Sequence, residues 1–138
     1  MALIHATCIV LGGTGVLIRG PSGAGKSDLA LRLIDAGAEL VADDYCEVTA
    51  QSGQIIAAAP PTIAGKIEVR GYGIVTVPFR TFAAVGLVVD LTPEREIERM
   101  PEAAVCVVEG ISVPKLMLDA FAASAAAKVR LVLTALTP

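Results

Sequence analysis

Residues Gly20-Pro21-Ser22-Gly23-Ala24-Gly25-Lys26-Ser27 spell G-x-x-x-x-G-K-S, a phosphate-binding loop set between the apolar run Val16-Leu17-Ile18 and a helix-like stretch from Asp28. Glycines at these places let backbone N–H groups turn inward around phosphate oxygens. The helix that follows adds its unpaired N–H groups and the positive end of its dipole. Lys26 would reach the β and γ phosphates of a nucleoside triphosphate, and the Ser27 hydroxyl would hold Mg²⁺, a cation that prefers oxygen ligands. The spacing therefore predicts a site for ATP with Mg²⁺.

Asp43 and Asp44 close an apolar strand 17 residues after Lys26, room for one helix and one return strand, so their carboxylates should arrive beside the phosphates. One could hold Mg²⁺ directly or through water, and the other could accept a proton from an attacking hydroxyl. Spacing does not say which does which. Glu68 and Arg70, in Ile67-Glu68-Val69-Arg70-Gly71-Tyr72-Gly73-Ile74, are two apart and share a face if the backbone there is extended. A carboxylate and a guanidinium side by side suit a metal ion and a phosphoryl group.

Positioning these groups takes strands and one helix. Ile4 to Val10 and Val16 to Arg19 flank Gly12-Gly13-Thr14-Gly15, which predicts a hairpin feeding the phosphate loop. Asp28, Arg32 and Asp35 fall at i, i+4 and i+7, leaving Leu29, Ala30, Leu33 and Ile34 for the core, and Gly37 supplies a stop. Strands are predicted at Glu39 to Ala42, and at Glu47 to Ala50 and Gln54 to Ala58 as a hairpin about Gln51-Ser52-Gly53. Pro60-Pro61 breaks the sheet, Thr62 to Ile67 reads as a helical turn or loop, and Ile74 to Val77 as a strand ended by Pro78. Gly86 to Leu91 reads as a buried strand. Thr92-Pro93-Glu94 opens a helix ending near Met100-Pro101, Val105 to Val108 is a strand, and Leu116 to Leu136 is mostly helix, with a final strand at Val129 to Leu133 left open. The expected class is α/β, a P-loop-containing kinase domain with a mixed, hairpin-rich sheet and packed helices.

The chain has 138 residues, one domain's worth, and a domain this long buries roughly 70% of the surface its unfolded chain exposes. No internal repeat or linker interrupts it. Hydrophobic residues make up 54% of it, yet no apolar run approaches the ~20 residues needed to cross a bilayer. The opening Met1 to Leu11 stretch has neither the basic start nor the cleavage site of a signal peptide. Net charge is −3 without any basic run, aromatics are 4% and tryptophan is absent, so neither a nucleic-acid surface nor a stacking platform for exposed bases is expected. Cys8, Cys46 and Cys106 are scattered through apolar surroundings, and His5 is the only histidine. They read as reduced thiols of a cytoplasmic protein rather than a zinc site.

Taken together these residues resemble the HPr kinase/phosphorylases, bifunctional enzymes of bacterial sugar-transport regulation. The resemblance lies in the phosphate loop, the Leu40-Val41-Ala42-Asp43-Asp44 strand end, the Ala58-Ala59-Pro60-Pro61 step and the Glu68-Val69-Arg70-Gly71-Tyr72-Gly73-Ile74 signature. It covers most of Met1 to Pro78. It implies an ATP- and Mg²⁺-dependent kinase acting on a serine of the phosphocarrier protein HPr, no nucleic-acid or membrane partner, and a homo-oligomer, hexameric in the family. It also implies an active-site role for His5, although the glycine that usually follows is Ala6 here, and a catalytic arginine at Arg99 in Ile97-Glu98-Arg99-Met100. By the same resemblance Ser27 and Glu68 are metal ligands, Asp43 with Asp44 the base, and Arg70 or Arg99 the charge neutraliser.

Three departures qualify the resemblance. Residues 1–138 read as the catalytic domain alone, without the family's separate N-terminal domain, similar to short forms in some proteobacteria. Pro78-Phe79-Arg80-Thr81-Phe82 replaces an apolar loop, and Ile111-Ser112-Val113-Pro114-Lys115 stands where fuller members carry an Arg-Pro-Gly-Arg segment associated with phosphorolysis. Weak reverse activity is expected. Other classes consistent with a phosphate loop are a nucleotide-sensing module without efficient transfer, against which the intact Asp43-Asp44 argues, and a small-molecule P-loop kinase, which needs an arginine-rich lid that this length barely accommodates.

Overall fold

Short apolar runs joined by tight turns build nearly all of the protein, and in the computed structural model, which describes residues 1–136, most of them enter one strongly curled sheet. The final two residues of the expected 1–138 domain lie outside the described residues. The strands are β1 (Ala2–Ile4), β2 (Ala6–Leu11), β3 (Thr14–Arg19), β4 (Glu39–Ala42), β5 (Cys46–Gln51), β6 (Gln54–Ala58), β7 (Lys66–Val69), β8 (Gly73–Thr76), β9 (Phe82–Leu91), β10 (Ala104–Val108) and β11 (Ile111–Leu118). Two helices, α1 (Lys26–Asp35) and α2 (Ala125–Leu136), complete the α/β architecture expected from the sequence.

The main path runs β1-β5-β6-β9-β3-β2-β4, with β11 against the C-terminal half of β9 and β10 outside β11. Pairings β3–β9 and β9–β11 are parallel, while β2–β3, β2–β4, β1–β5 and β5–β6 are antiparallel. The hairpin turn Gly12-Gly13 has φ of 59° and 82°, the doubly positive geometry whose twist matches the flanking strands. Because β1 runs on into β2 after a single residue, the path that begins at β1 returns to its own start, and the sheet wraps round an inner core of Cys8, Val10, Leu17, Val41, Val48, Ile55 and Val88. Alternate residues on the same strands, including Ile9, Val16, Ile18 and Val89, point outward and meet Leu29 and Leu33 of α1 and Val129 and Leu133 of α2. Period-two alternation thus feeds two cores from one set of strands. Fully burying each such side chain stabilises the fold by ~1.5–3 kcal/mol before the entropy cost of ordering it.

Helix α1 buries Leu29, Ala30 and Leu33 as its spacing predicts, and Ile34 is half-buried. It stops at Gly37, whose φ of 111° turns the chain while Ala38 N–H returns to Leu33 O at 3.0 Å.

One expectation fails and two hold only in part. The segment Thr62 to Ile67 holds a single 3₁₀ turn at Pro61–Ile63 and then enters strand β7, which pairs with β8. The helix expected from Thr92-Pro93-Glu94 to Met100 is only a 3₁₀ turn, Glu94–Glu96, followed by extended Ile97. Apart from half-buried Thr92 and Ile97 the stretch is exposed; with no apolar face to pack, a short helix is marginal, and Pro101 disfavours helical Met100. Leu116 to Leu118 belong to β11, the helix starts only at Ala125, and Val129 to Leu133 is helical rather than a closing strand. The β-branched residues of Ile111–Leu118 fold back on β10 through Glu109-Gly110, both at positive φ. Among the described residues no helix is long and apolar enough to cross a membrane.

Candidate active site

Strand β3 delivers the phosphate loop and α1 begins at Lys26. Gly25 caps the helix at φ 97°, ψ 23°, without any side-chain cap, so the first-turn N–H groups are left for an anion. A Cβ on Gly25 would stand 2.9 Å from the Ala120 Cβ and 3.3 Å from the Phe121 ring, which leaves no space for another residue. Lys26 is buried, its Nζ donating to Gly20 O at 2.8 Å and Pro21 O at 3.2 Å. The ammonium is thus tethered inside the loop at the level where phosphates would lie.

The acidic pair sits at a break shared by two paired stretches of chain. Ile4 pairs with Cys46 and Cys8 with Ala42; between these levels both partners leave the ladder, one at His5 and the other at Asp43-Asp44-Tyr45. Asp44 takes a left-handed φ of 69°, unusual for a residue other than glycine and tolerated best by Asn and Asp. The turn aims the two carboxylates in different directions.

Asp43 is buried. Its Oδ1 accepts from Ser27 Oγ at 2.6 Å and Thr7 Oγ1 at 3.2 Å, and its Oδ2 accepts from the Glu68 N–H at 3.0 Å. Asp44, half-exposed, meets His5 Nε2 at 2.6 Å, and the imidazole stacks on Tyr45 with ring centroids 5.3 Å apart. Thr7, fully buried, ties the pair together: its Oγ1 donates to Asp43 and accepts the Asp44 N–H at 3.0 Å. Asp43 is therefore a structural acceptor fastened to α1, β2 and β7, whereas Asp44 offers a carboxylate to the cleft with an imidazole behind it.

A cleft of about 340 Å³ opens over this end of the sheet. Ser22, Gly23, Gly25, Lys26 and Ser27 form its floor, and Asp44, Glu68 and Arg70 line it together with Asp28, Leu31 and Phe121. Glu68 and Arg70 thus share the cleft as their spacing requires. Of the remaining candidates, Gly20, Pro21 and Ala24 shape the loop without lining the cleft, and His5 reaches it through Asp44. Arg99 is exposed on the segment after the 3₁₀ turn and is not among the lining residues.

ATP and Mg²⁺ fit these residues. The uncapped helix start and the tethered lysine suit a polyphosphate, and Ser27 Oγ, whose proton goes to Asp43, keeps acceptor capacity in the cleft that Glu68 also lines, an all-oxygen donor set. Among the described residues no cluster of three or more His, Cys, Asp or Glu side chains could hold a metal unaided. Mg²⁺ does not require one, because it is commonly held by one or two protein oxygens plus substrate phosphates and water.

Sequence reasoning missed Thr7, Tyr45, Leu31 and Phe121. Thr7 alone left a signal, being the one hydroxyl in the buried run Ala6-Thr7-Cys8-Ile9-Val10. Two ionisable groups near the site are clearly perturbed. The Asp90 carboxylate, bonded to Arg19 at 2.7 and 2.9 Å, raises the guanidinium's pKa just before the loop. Cys8 is pushed well above the ordinary thiol value of 9.0 by the neighbouring Cys46 thiol and by burial. Cys8, Cys46 and Cys106 are free thiols, the first two buried and the third half-exposed.

A family model described as the HPr Serine kinase C-terminal domain matches residues 1–129. The HPr kinase/phosphorylase of Lacticaseibacillus casei (strain BL23) is 38% identical over 108 residues, covering 70% of this chain and 34% of that protein. That of Clostridium tetani is 44% identical over 75 residues, covering 54% and 25%. That of Limosilactobacillus reuteri is 35% identical over 125 residues, covering 82% and 39%. The chain therefore spans about a third of the length of the curated relatives it matches. Among solved structures, the Hpr(Ser) kinase/phosphatase from Coxiella burnetii superposes with a TM-score of 0.87 at 27% identity, covering 98% of this chain and 95% of that one. On a match to nearly its whole length, the chain belongs to the HPr Serine kinase C-terminal domain family.

Proposed function

We propose that this domain transfers the γ-phosphoryl group of ATP to a seryl hydroxyl of HPr or a homologous phosphocarrier protein. The observation that carries the reading is the division of labour between adjacent aspartates: Asp43 is buried and fully engaged beneath Ser27, while Asp44 faces the phosphate loop with His5 at 2.6 Å. A module that only senses nucleotide has no use for a second, cleft-facing carboxylate.

Backbone N–H groups of Gly23 to Ser27 and the Lys26 ammonium bind the triphosphate. Ser27 and Glu68 would hold Mg²⁺, which supplies charge neutralisation across the phosphates when bound. Asp44 accepts the seryl proton as the serine oxygen bonds to the γ-phosphorus and the bond from that phosphorus to the bridging oxygen breaks, releasing ADP. His5 fixes the orientation of the receiving carboxylate. General-base help of this kind contributes ~10²–10⁴-fold. Arg70, in the cleft, neutralises charge developing on the equatorial oxygens, an effect of ~2.7–4 kcal/mol per donor in other sites. Arg99 serves this role only if the segment carrying it moves to the cleft. A homo-oligomer is part of the reading, and Val105 and Val107, exposed on edge strand β10, offer apolar surface for it.

Incubating the protein with γ-labelled ATP, Mg²⁺ and HPr tests the proposal. Label is expected on HPr, and none on an HPr variant whose acceptor serine is alanine. ATP binding without transfer to HPr would reduce the protein to a nucleotide-binding module.

A further inference from the structure

Phe121 lines the cleft over the phosphate loop and is 69% exposed, so its place there is not set by burial in the core. Its neighbours are the opposite: Ala120 is buried, and the loop from Asp119 is fastened at several points. Asp119 accepts the Phe121 N–H through Oδ1 at 2.9 Å and the Glu94 N–H through Oδ2 at 3.0 Å. Arg32 of α1 donates to the carbonyls of Ala120 and Ala122 and pairs with Asp28 at 3.0 Å. The backbone is thus anchored on three sides while the aromatic side chain projects into solvent at the lip of the cleft.

Topology fixes which end of a nucleotide meets this ring. Strands β4, β3, β9 and β11 all point the same way, since β2 is antiparallel to both β3 and β4, and β3–β9 and β9–β11 are parallel. Their C-terminal ends therefore lie at one edge of the sheet, where ligands of α/β proteins bind. Along that edge the order is β11, β9, β3, β2, β4. The phosphate loop leaves β3 in the middle, Asp43-Asp44 leave β4 on one side, and Asp119 to Phe121 leave β11 on the other. The γ-phosphate has to lie on the Asp44 side, where base and acceptor meet. The nucleoside then extends in the other direction, toward β11.

We infer that Phe121, with Leu31 of α1 beside it in the cleft, is the platform on which the adenine ring of ATP stacks. The inference rests on the cleft being the ATP site proposed above. An exposed aromatic face loses solvent-exposed apolar area when a base covers it, and stacking needs no hydrogen-bond readout, so the contact contributes affinity for any purine triphosphate. A Cβ built on Gly25 would come within 3.3 Å of this ring, so the ring lies directly over the phosphate loop.

The test compares ligands that share phosphates but differ in the base. Mg²⁺-ATP and Mg²⁺-tripolyphosphate are titrated by calorimetry into the wild type, Phe121→Ala, Phe121→Trp and Lys26→Ala. Phe121→Ala is expected to weaken ATP at least ~5-fold, the lower end for one base stack, and to leave tripolyphosphate within twofold; Phe121→Trp is expected to retain ATP affinity. The wild-type chain has no tryptophan, so fluorescence of the introduced indole is expected to be quenched by ATP and not by tripolyphosphate. Unchanged ATP affinity in Phe121→Ala would overturn the inference, and so would an equal loss for both ligands, which would mark the ring as a brace for the loop. Lys26→Ala separates this from the underlying reading: if it weakens neither ligand, the phosphate site itself is wrong, whatever Phe121 does.

Discussion

Replacing Thr7 by valine removes one hydroxyl and almost no volume, yet it is expected to damage both stability and transfer. In the fully buried wild-type side chain, Oγ1 donates to Asp43 at 3.2 Å and accepts the Asp44 N–H at 3.0 Å. The first is a bond to a carboxylate, of the class contributing ~1.5–3 kcal/mol, and its length places it at the weak end; the second contributes ~0.5–1.5 kcal/mol, and losing it leaves a donor unpaired. The extra methyl offsets part of this, ~1 kcal/mol for a buried carbon. A net loss of about 2 kcal/mol follows, which for a domain of this size lowers Tm by roughly 6–8 °C. The larger effect is on geometry. The Asp44 N–H bond helps to hold a residue at φ 69°, so its loss lets the carboxylate drift from the line of attack, and displacements of order 1 Å can cost ~10² in rate. Thermal unfolding and steady-state phosphorylation of HPr are the assays: kcat should fall at least ~10-fold while ATP affinity stays within about threefold, and Thr7→Ser should restore both. Wild-type Tm and kcat in Thr7→Val would refute the claim that this hydroxyl organises the aspartate pair.

Asp44→Gly is expected to abolish transfer while holding or raising stability by up to ~1 kcal/mol, since glycine adopts positive φ without steric cost; a clear fall in Tm would contradict the strain argument. Lys26→Ala should weaken triphosphate far more than adenosine, because the ammonium meets phosphates and not the base, and equal affinities for both variants and ligands would contradict it. Thiol labelling of the native protein at pH 8 should modify Cys106 first and leave Cys8 and Cys46 intact until unfolding, as only the former is half-exposed. Because folding raises the Cys8 pKa above 9.0, its contribution is fully present below the unfolded pKa and is lost as pH rises through the folded one. Stability should therefore decline above pH ~9 in the wild type and less steeply in Cys8→Ala, and parallel pH profiles would refute that assignment.

The phosphate loop could be read from sequence because its chemistry is contiguous: eight residues fix the backbone path, the cation and the hydroxyl together. The Asp43-Asp44 pair was legible as a position and as a pair of roles, but not as to which residue takes which, since that depends on a left-handed turn and on Thr7, which is 36 residues away from Asp43 along the chain. Hairpins with glycine turns came through well. Elements whose form depends on tertiary pairing did not: Lys66–Val69 becomes a strand by pairing with Gly73–Thr76, and Ile111–Leu118 by inserting between β10 and β9. The charged stretch after Pro93 had helix-start chemistry and no apolar face, and local propensity could not sustain it. Phe121 was invisible in advance because an isolated aromatic in an alanine-rich run acquires meaning only from the strand order that brings it to the phosphate loop.

The central claim is that Asp44 takes the seryl proton while Asp43 supports the site from beneath. Single-turnover transfer from γ-labelled ATP to HPr, measured with nucleotide affinity on the same preparations of wild type and Asp44→Asn, tests it most directly. Asparagine keeps the shape and tolerates positive φ but cannot accept the proton, so ATP affinity should stay within about twofold while the transfer rate falls at least ~10²-fold. Transfer by Asp44→Asn at the wild-type rate would show that the cleft-facing carboxylate is not the base.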